Sequence, residues 1–187
     1  MRVISGTCRG RVLSAPTGMI TRPTSDRVKE AIFSILGSRL NFNDISVLDI
    51  CAGSGSLGIE ALSRGAGSCC FVESSRSVGD VLKKNILSTG LQERSRILIM
   101  DAEKAINSLE KAKHKFNIVF FDPPYSSGLY QRIFELFDNS DLLASEALLL
   151  AECSVRNPLS EVYGHLKRFD RRIYGETAIE MFSKEAN

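Results

Sequence analysis

No stretch of the 187-residue chain approaches the roughly 20 consecutive apolar residues that span a bilayer. The longest apolar runs lie near residues 118–121 and 147–151, so a transmembrane helix is excluded and no membrane partner is expected. The opening Met1-Arg2-Val3-Ile4-Ser5-Gly6 has no long apolar core, so a secretory signal is not expected. No Cys-x-x-Cys occurs among the cysteines, which are odd in number: Cys8, Cys51, Cys69, Cys70 and Cys153. A disulfide framework or a zinc site is therefore not expected, and the reducing cytoplasm is the expected compartment. Cys69 and Cys70 are adjacent in an apolar run and should point to opposite faces of a strand. The two histidines, His114 and His165, lie far apart without ligand spacing and read as surface residues, so no metal is expected. Internal repeats and low-complexity segments are also missing.

What is present is ordinary for a globular chain: 43% hydrophobic and 25% charged residues, at a length that suits one sizeable core. Nothing demands more than a monomer. The net charge of +2 is unevenly spread. Residues 1–40 carry Arg2, Arg9, Arg11, Arg22, Arg27, Lys29 and Arg39 against Asp26 and Glu30, a net +5 that leaves −3 for the rest. A basic leading segment on a near-neutral body suggests an anionic partner.

The leading segment reads as a short hairpin, roughly 2–5 and 10–14, with a basic tip at Arg9 and Arg11. A loop from Pro16 to Pro23 follows. Ser25 offers a helix N-cap with Asp26 in the first turn, and Val28, Ile32, Ile35 and Leu36 form an apolar stripe. Gly37 is the expected end of that helix, and Arg27, Lys29 and Glu30 its outer face. From residue 46 short apolar runs alternate with helical stretches. The expected strands are 46–51, 69–73, 96–100, 116–121 and 146–152, and the expected helices 56–64, 77–88, 102–111 and 127–137. This alternation predicts an α/β fold with a parallel sheet covered on both faces. A helical stretch near 159–165 should follow. Strands 168–174 and 177–183, separated only by Gly175 and Glu176, should close the sheet as an antiparallel hairpin. Residues 184–187 read as a frayed tail. The chain divides into a basic hairpin-and-helix extension, 1–40, and a catalytic domain, 41–187.

Gly53, Gly55 and Gly58 form a GxGxxG between an expected strand and an expected helix, which permits a tight turn and close approach of backbone to ligand. Glu73 ends the next strand, where a carboxylate can accept both hydroxyls of a ribose. The pattern suits a dinucleotide, and it also suits S-adenosylmethionine. Asp49, just before the glycine loop, should repel a pyrophosphate and attract the ammonium of a methionine moiety. No Gly-Lys-Ser/Thr follows, so this is no P-loop. Asp101-Ala102 follows the third strand, and Asp101 can accept from the exocyclic amine of adenine or act as an N-cap.

Asp122-Pro123-Pro124-Tyr125 follows the apolar run 118–121. The two prolines fix φ and remove two donors, leaving a rigid row of acceptors: the Asp122 carboxylate and the carbonyls of Asp122 and Pro123. Such a row suits an amino group. Acceptors on both of its hydrogens draw an exocyclic base amine toward tetrahedral geometry and localise its lone pair. Tyr125 can stack on the base plane.

These residues resemble the RsmD-type 16S ribosomal RNA guanine-N2 methyltransferases. The likeness runs through Arg2 to Gly6, Arg9 to Arg11, Thr21 to Ala31, Leu48 to Gly58, Glu60 to Ala66 and Asp122 to Tyr125. The stretch from Thr21 to Ala31 is its most specific part. The glycine loop and Asp-Pro-Pro-Tyr are shared with many amino-methyltransferases. The resemblance implies a class I methyltransferase fold, Rossmann-like, with a seven-stranded mostly parallel sheet and a small N-terminal β-hairpin extension. It implies S-adenosyl-L-methionine as donor and one guanosine of 16S ribosomal RNA as acceptor, within a small ribosomal subunit or an assembly intermediate. By position, Gly53, Gly55 and Gly58 line the cofactor, Glu73 holds its ribose and Asp101 its adenine. Asp122, Pro123, Pro124 and Tyr125 hold the target guanine, and Arg9, Arg11, Arg22 and Arg27 meet RNA phosphates. One departure is Cys51, where relatives usually carry Phe.

Three rival functions share parts of this reading. An adenine-N6 methyltransferase acting on DNA or RNA has the same tetrapeptide, but the chain shows no obvious sequence-reading domain. A non-catalytic RNA-binding assembly factor could keep the fold, yet it has no use for Asp49, Glu73 and Asp122. A nicotinamide oxidoreductase would use the glycine loop and leave Asp122 to Tyr125 without a role.

Overall fold

Five short apolar segments build the parallel core of one sheet in the computed structural model, which describes residues 1–16, 26–124 and 128–184. They are β1 (Ser46–Ile50), β2 (Ser68–Glu73), β3 (Ser95–Ile99), β4 (Phe116–Phe121) and β5 (Leu143–Ser154). Three further strands complete the sheet: β6 (Val162–Tyr163), β7 (Leu166–Tyr174) and β8 (Thr177–Lys184). The strand order is β3-β2-β1-β4-β5-β8-β7-β6, and β8 runs antiparallel to both β5 and β7. The order reverses between β1 and β4. In open α/β sheets that reversal opens a crevice at the carboxyl ends of the strands, where ligands bind.

Side chains alternate across the sheet, so each strand feeds two cores. Val47, Cys69, Phe71, Phe120 and Leu150 face one side, with α1 (Asp26–Arg39), α2 (Ser56–Ser63) and α3 (Arg76–Thr89). Leu48, Cys70, Val72, Phe121 and Leu149 face the other, with α4 (Ala102–Lys111) and α5 (Leu129–Asp138). Cys69 and Cys70 thus lie on opposite faces.

The leading segment joins the first core. Val3, Cys8, Leu13, Ile32, Phe33 and Leu36 belong to the same buried cluster as the sheet. This explains why α2 is buried on every side: the leading segment covers its outer face. The amides of Ile4 and Ser5 donate to the Glu60 carboxylate at 2.7 and 3.0 Å, and the amide of Thr7 donates to the Ser63 carbonyl at 2.8 Å. Gly6 has φ +82°, and a Cβ there would collide with the Ser63 backbone, so this close approach requires glycine.

The structure corrects several expectations. The leading hairpin forms over a shorter span than 2–5 and 10–14: around the antiparallel bridge of Arg2 to Val12, the amides of Val3, Gly10 and Leu13 donate to the carbonyls of Arg11, Val3 and Met1 at 2.9, 2.9 and 3.1 Å. Gly37 does not end α1, which continues to Arg39. Lys29 is not on the outer face; it is fully buried and lies 3.7 Å from Glu60. Among the described residues there are eight strands rather than seven, because the stretch expected to be helical near 159–165 carries β6. Pro158 and Gly164 leave too few residues between them to nucleate a helix. Gly164, at φ +61°, instead turns the chain so that Val162 and Tyr163 pair with Lys167 and Leu166. Tyr163 then packs on Phe134, with ring centroids 4.3 Å apart. Lys184 belongs to β8. The Pro16–Pro23 loop beyond Pro16, the Ser25 cap, Arg22, Tyr125 and residues 185–187 lie outside the described residues.

Candidate active site

β1 and β4 are neighbours in register from Val47–Ile118 to Ile50–Phe121. The glycine loop and Asp122 therefore leave the sheet side by side, and the Asp122 amide reaches the Ile50 carbonyl at 3.4 Å. Between them sits Cys51 at φ +61°, a left-handed conformation that costs a non-glycine residue about 1–2 kcal/mol. Burial pushes its thiol up to about 12, with the nearby carboxylates of Glu73, Asp122 and Asp49 adding to the effect. It is an uncharged thiol at the centre of an acidic ring.

The three glycines have different duties. At Gly53, with φ +56°, a Cβ would meet only the Cys51 carbonyl oxygen, at 3.9 Å. Gly55, at φ +81°, faces Leu82, Ile59 and Phe71, and Gly58 faces Phe71 and Cys69; a Cβ at either would collide with the core. Only Gly53 of the three leaves room for a ligand at its Cα. The Gly58 amide donates to Asp49 Oδ2 at 2.9 Å, so this carboxylate ties the start of α2 to β1. Asp49 is 2% exposed, and burial raises its carboxyl to about 7 despite that hydrogen bond.

Glu73, at the end of β2, accepts from the Gly53 amide on Oε2 at 3.0 Å and from the Ser75 amide on Oε1 at 2.8 Å. Each oxygen keeps a second lone pair for a hydroxyl donor. Asp101 occupies the N-cap position of α4, but its side chain makes no cap hydrogen bond; it lies exposed, 3.1 Å from Lys104. Ala102 is buried behind it as the first residue of α4. The uncrowded Cα of Gly53, the lone pairs of Glu73 and the outward carboxylate of Asp101 lie at the ends of adjacent strands. Together they fit an adenosine-bearing cofactor.

Asp122 opens onto a cleft walled by Ile32, Leu57, Phe120, Leu150 and Ile179. Pro123 is buried and Pro124 exposed. Arg9, Arg11 and Arg27 are exposed on the leading turn and at the start of α1. Among the described residues no group of three or more His, Cys, Asp or Glu could hold a metal ion, and no helix is long and apolar enough to cross a membrane.

Sequence reasoning missed two residues that shape this site. Asn85 of α3 bridges the leading segment to the glycine loop: its Oδ1 accepts from the Ser14 amide at 2.8 Å, and its Nδ2 donates to the carbonyls of Ser14 and Ser54 at 3.0 and 2.9 Å. No local pattern marks it. Glu152, on β5, also lines the cleft. Its signal was available, an acid directly after the apolar run 147–151, as Asp122 follows the run 118–121.

The family model described as "Conserved hypothetical protein 95" matches residues 1–183. Ribosomal RNA small subunit methyltransferase D of Escherichia coli (strain K12) is 36% identical over 186 residues, covering 100% of this chain and 91% of that protein. YlbH of Bacillus subtilis (strain 168) is 37% identical over 184 residues, covering 98% and 99%. The solved structure of yhhF from Escherichia coli superposes with a TM-score of 0.87 at 35% identity, covering 100% and 99% of the two chains. The fold is that of the class I methyltransferases, with a mostly parallel sheet closed by an antiparallel hairpin.

Proposed function

Because the chain belongs to the conserved hypothetical protein 95 family, the RsmD family, we propose that it methylates the exocyclic N2 amine of a guanosine in small-subunit ribosomal RNA, with S-adenosylmethionine as donor. One observation carries the reading: Asp122, followed by two prolines, stands at the switch point beside the glycine loop and opens onto an apolar cleft.

When bound, the cofactor supplies a methyl group activated by a sulfonium. Glu73 accepts its ribose hydroxyls, Asp101 its adenine amine, and Gly53 lets the backbone come close. Asp49 supports the loop by holding the Gly58 amide on Oδ2, and it attracts the ammonium of the methionine moiety directly or through water. Asp122 and the carbonyls of Asp122 and Pro123 accept from the two hydrogens of the target amine. Pro123 and Pro124 offer no amide hydrogen to compete. The nitrogen lone pair is thereby held toward the methyl group, and positioning supplies much of the rate. Tyr125 stacks on the base. The base leaves its RNA stack to reach this cleft. Arg9, Arg11, Arg22 and Arg27, in the extension formed by residues 1–40, meet RNA phosphates. The protein acts in the cytoplasm as a monomer, on a small subunit or an assembly intermediate.

The test is transfer of labelled methyl groups to small ribosomal subunits lacking their native methylation, followed by nucleoside analysis. N2-methylguanosine at one position is expected, with an Asp122→Asn variant at least about 100-fold slower. N6-methyladenosine, or transfer to DNA alone, would overturn the substrate. An unimpaired Asp122→Asn variant would overturn the mechanism.

A further inference from the structure

The cleft beside Asp122 contains a second carboxylate. Glu152 follows the apolar part of β5 as Asp122 follows β4. Phe120 pairs with Leu150 and Phe121 with Ala151, so Asp122 and Glu152 are the next residues across the two strands. Both share the sheet face of Phe120 and Leu150. Both line the cleft, whose other walls include Ile32, Leu57 and Ile179. Glu152 is only 8% exposed. Its carbonyl accepts from the Tyr130 hydroxyl at 2.7 Å, which fixes this end of β5.

Adjacent acceptors suit the donor edge of a purine. Guanine presents the N1 hydrogen and the N2 amine side by side, donors next to donors. Adenine presents its N6 amine beside a bare N1 lone pair. Two adjacent carboxylates match the first edge. Against the second, one carboxylate faces a lone pair.

We propose that Glu152 is the specificity-determining residue of the acceptor cleft, accepting the N1 hydrogen of guanine while Asp122 holds the neighbouring amine, and thereby rejecting adenine. The inference rests on the reading that Asp122 holds the reacting amine. Within that reading it assigns the choice of base to β5, rather than to the Asp-Pro-Pro turn that guanine and adenine enzymes share.

The test uses small subunits reconstituted with 2-aminopurine at the position found to be methylated. This base keeps the N2 amine and has a bare N1. Wild-type protein should methylate the guanosine substrate at least about 100-fold faster, as expected where a site built to hydrogen-bond an N–H meets an analogue that lacks it. In a Glu152→Gln variant the carboxamide can donate to N1, and the preference should fall below about 10-fold. A wild-type preference within about 5-fold would overturn the proposal, and that arm decides alone if the variant fails to fold. A folded Glu152→Gln variant, with unchanged thermal unfolding and cofactor binding, that keeps the wild-type preference would also overturn it. Absence of any N2-methylguanosine from the wild type overturns this proposal together with the proposed function. N2-methylguanosine formed without base preference overturns this proposal alone.

Discussion

Replacing Glu60 by Gln tests whether one buried carboxylate fastens the leading segment to the methyltransferase core. Glu60 is fully buried on α2 and accepts from the amides of Ile4 and Ser5 and from Arg64 Nε at 2.8 Å. Lys29 Nζ lies 3.7 Å away, fully buried, and donates to the Arg2 carbonyl at 2.6 Å. Burial holds the Lys29 pKa below its ordinary value, and Glu60 opposes that shift. A glutamine can accept from one amide, but it leaves the buried lysine charge with only the weaker pull of Asp26. Breaking a buried pair in this way costs about 3–5 kcal/mol. For a chain of this size that corresponds to a fall in Tm of roughly 6–20 °C. The reverse change, Lys29→Met, should be milder, under about 2 kcal/mol. It removes a costly buried cation and leaves Glu60 with three donors, losing chiefly the bond to Arg2. Combining the two should recover about 2 kcal/mol or more relative to Glu60→Gln alone. The assay is urea unfolding of the four proteins at one pH, with limited proteolysis of the leading segment as a local readout. A Glu60→Gln variant within about 0.5 kcal/mol of wild type would refute the reasoning, as would strict additivity.

Three further outcomes follow from the same geometry. Asp49 keeps its proton up to about pH 7 in the folded protein, whereas the unfolded chain releases it near its ordinary value of 3.8. The folded state therefore binds the extra proton between these values, and Asp49 makes stability fall as pH rises from about 4 to about 7. An Asp49→Asn variant should gain on wild type across that window in urea unfolding; a difference independent of pH would remove the claim. Gly58→Ala should cost at least about 1–3 kcal/mol through the clash with Phe71 and Cys69. Gly53→Ala should fold and lose cofactor affinity by calorimetry, and the opposite pattern would reverse their assigned duties. Replacing both Arg9 and Arg11 by Ala should lower the log–log salt slope of RNA binding by about 0.7–0.9 per arginine, and an unchanged slope would place the RNA elsewhere.

Much of the site was legible because it is local. Each parallel strand is an apolar run with an acid within two residues of its carboxyl end: Asp49, Glu73, Asp101, Asp122 and Glu152. A run of apolar residues forms a buried strand wherever it sits, and the residue beyond it emerges at the strand end. The glycines and prolines likewise act through their own φ, so the turns of the glycine loop and at Gly175 could be read in place. The boundaries of α4 and β4 are those expected, and the hairpin of β7 and β8 lies within two residues of its expected limits.

What failed was decided by partners distant in the chain. Lys29 reads as an exposed charge on an amphipathic helix until Glu60 comes to meet it, 31 residues away. Asn85 reads as an ordinary polar helix residue until Ser14 and Ser54 converge on it. Gly37 reads as a helix stop, but a helix packed through Ile32, Phe33 and Leu36 can carry a glycine that costs it only about 1 kcal/mol. Glu152 stands beside Asp122 only because β5 takes the place next to β4 in the sheet. Propensity and periodicity act over a few residues and set the elements; which acid faces which depends on strand order, and strand order follows from how the two apolar faces are jointly covered.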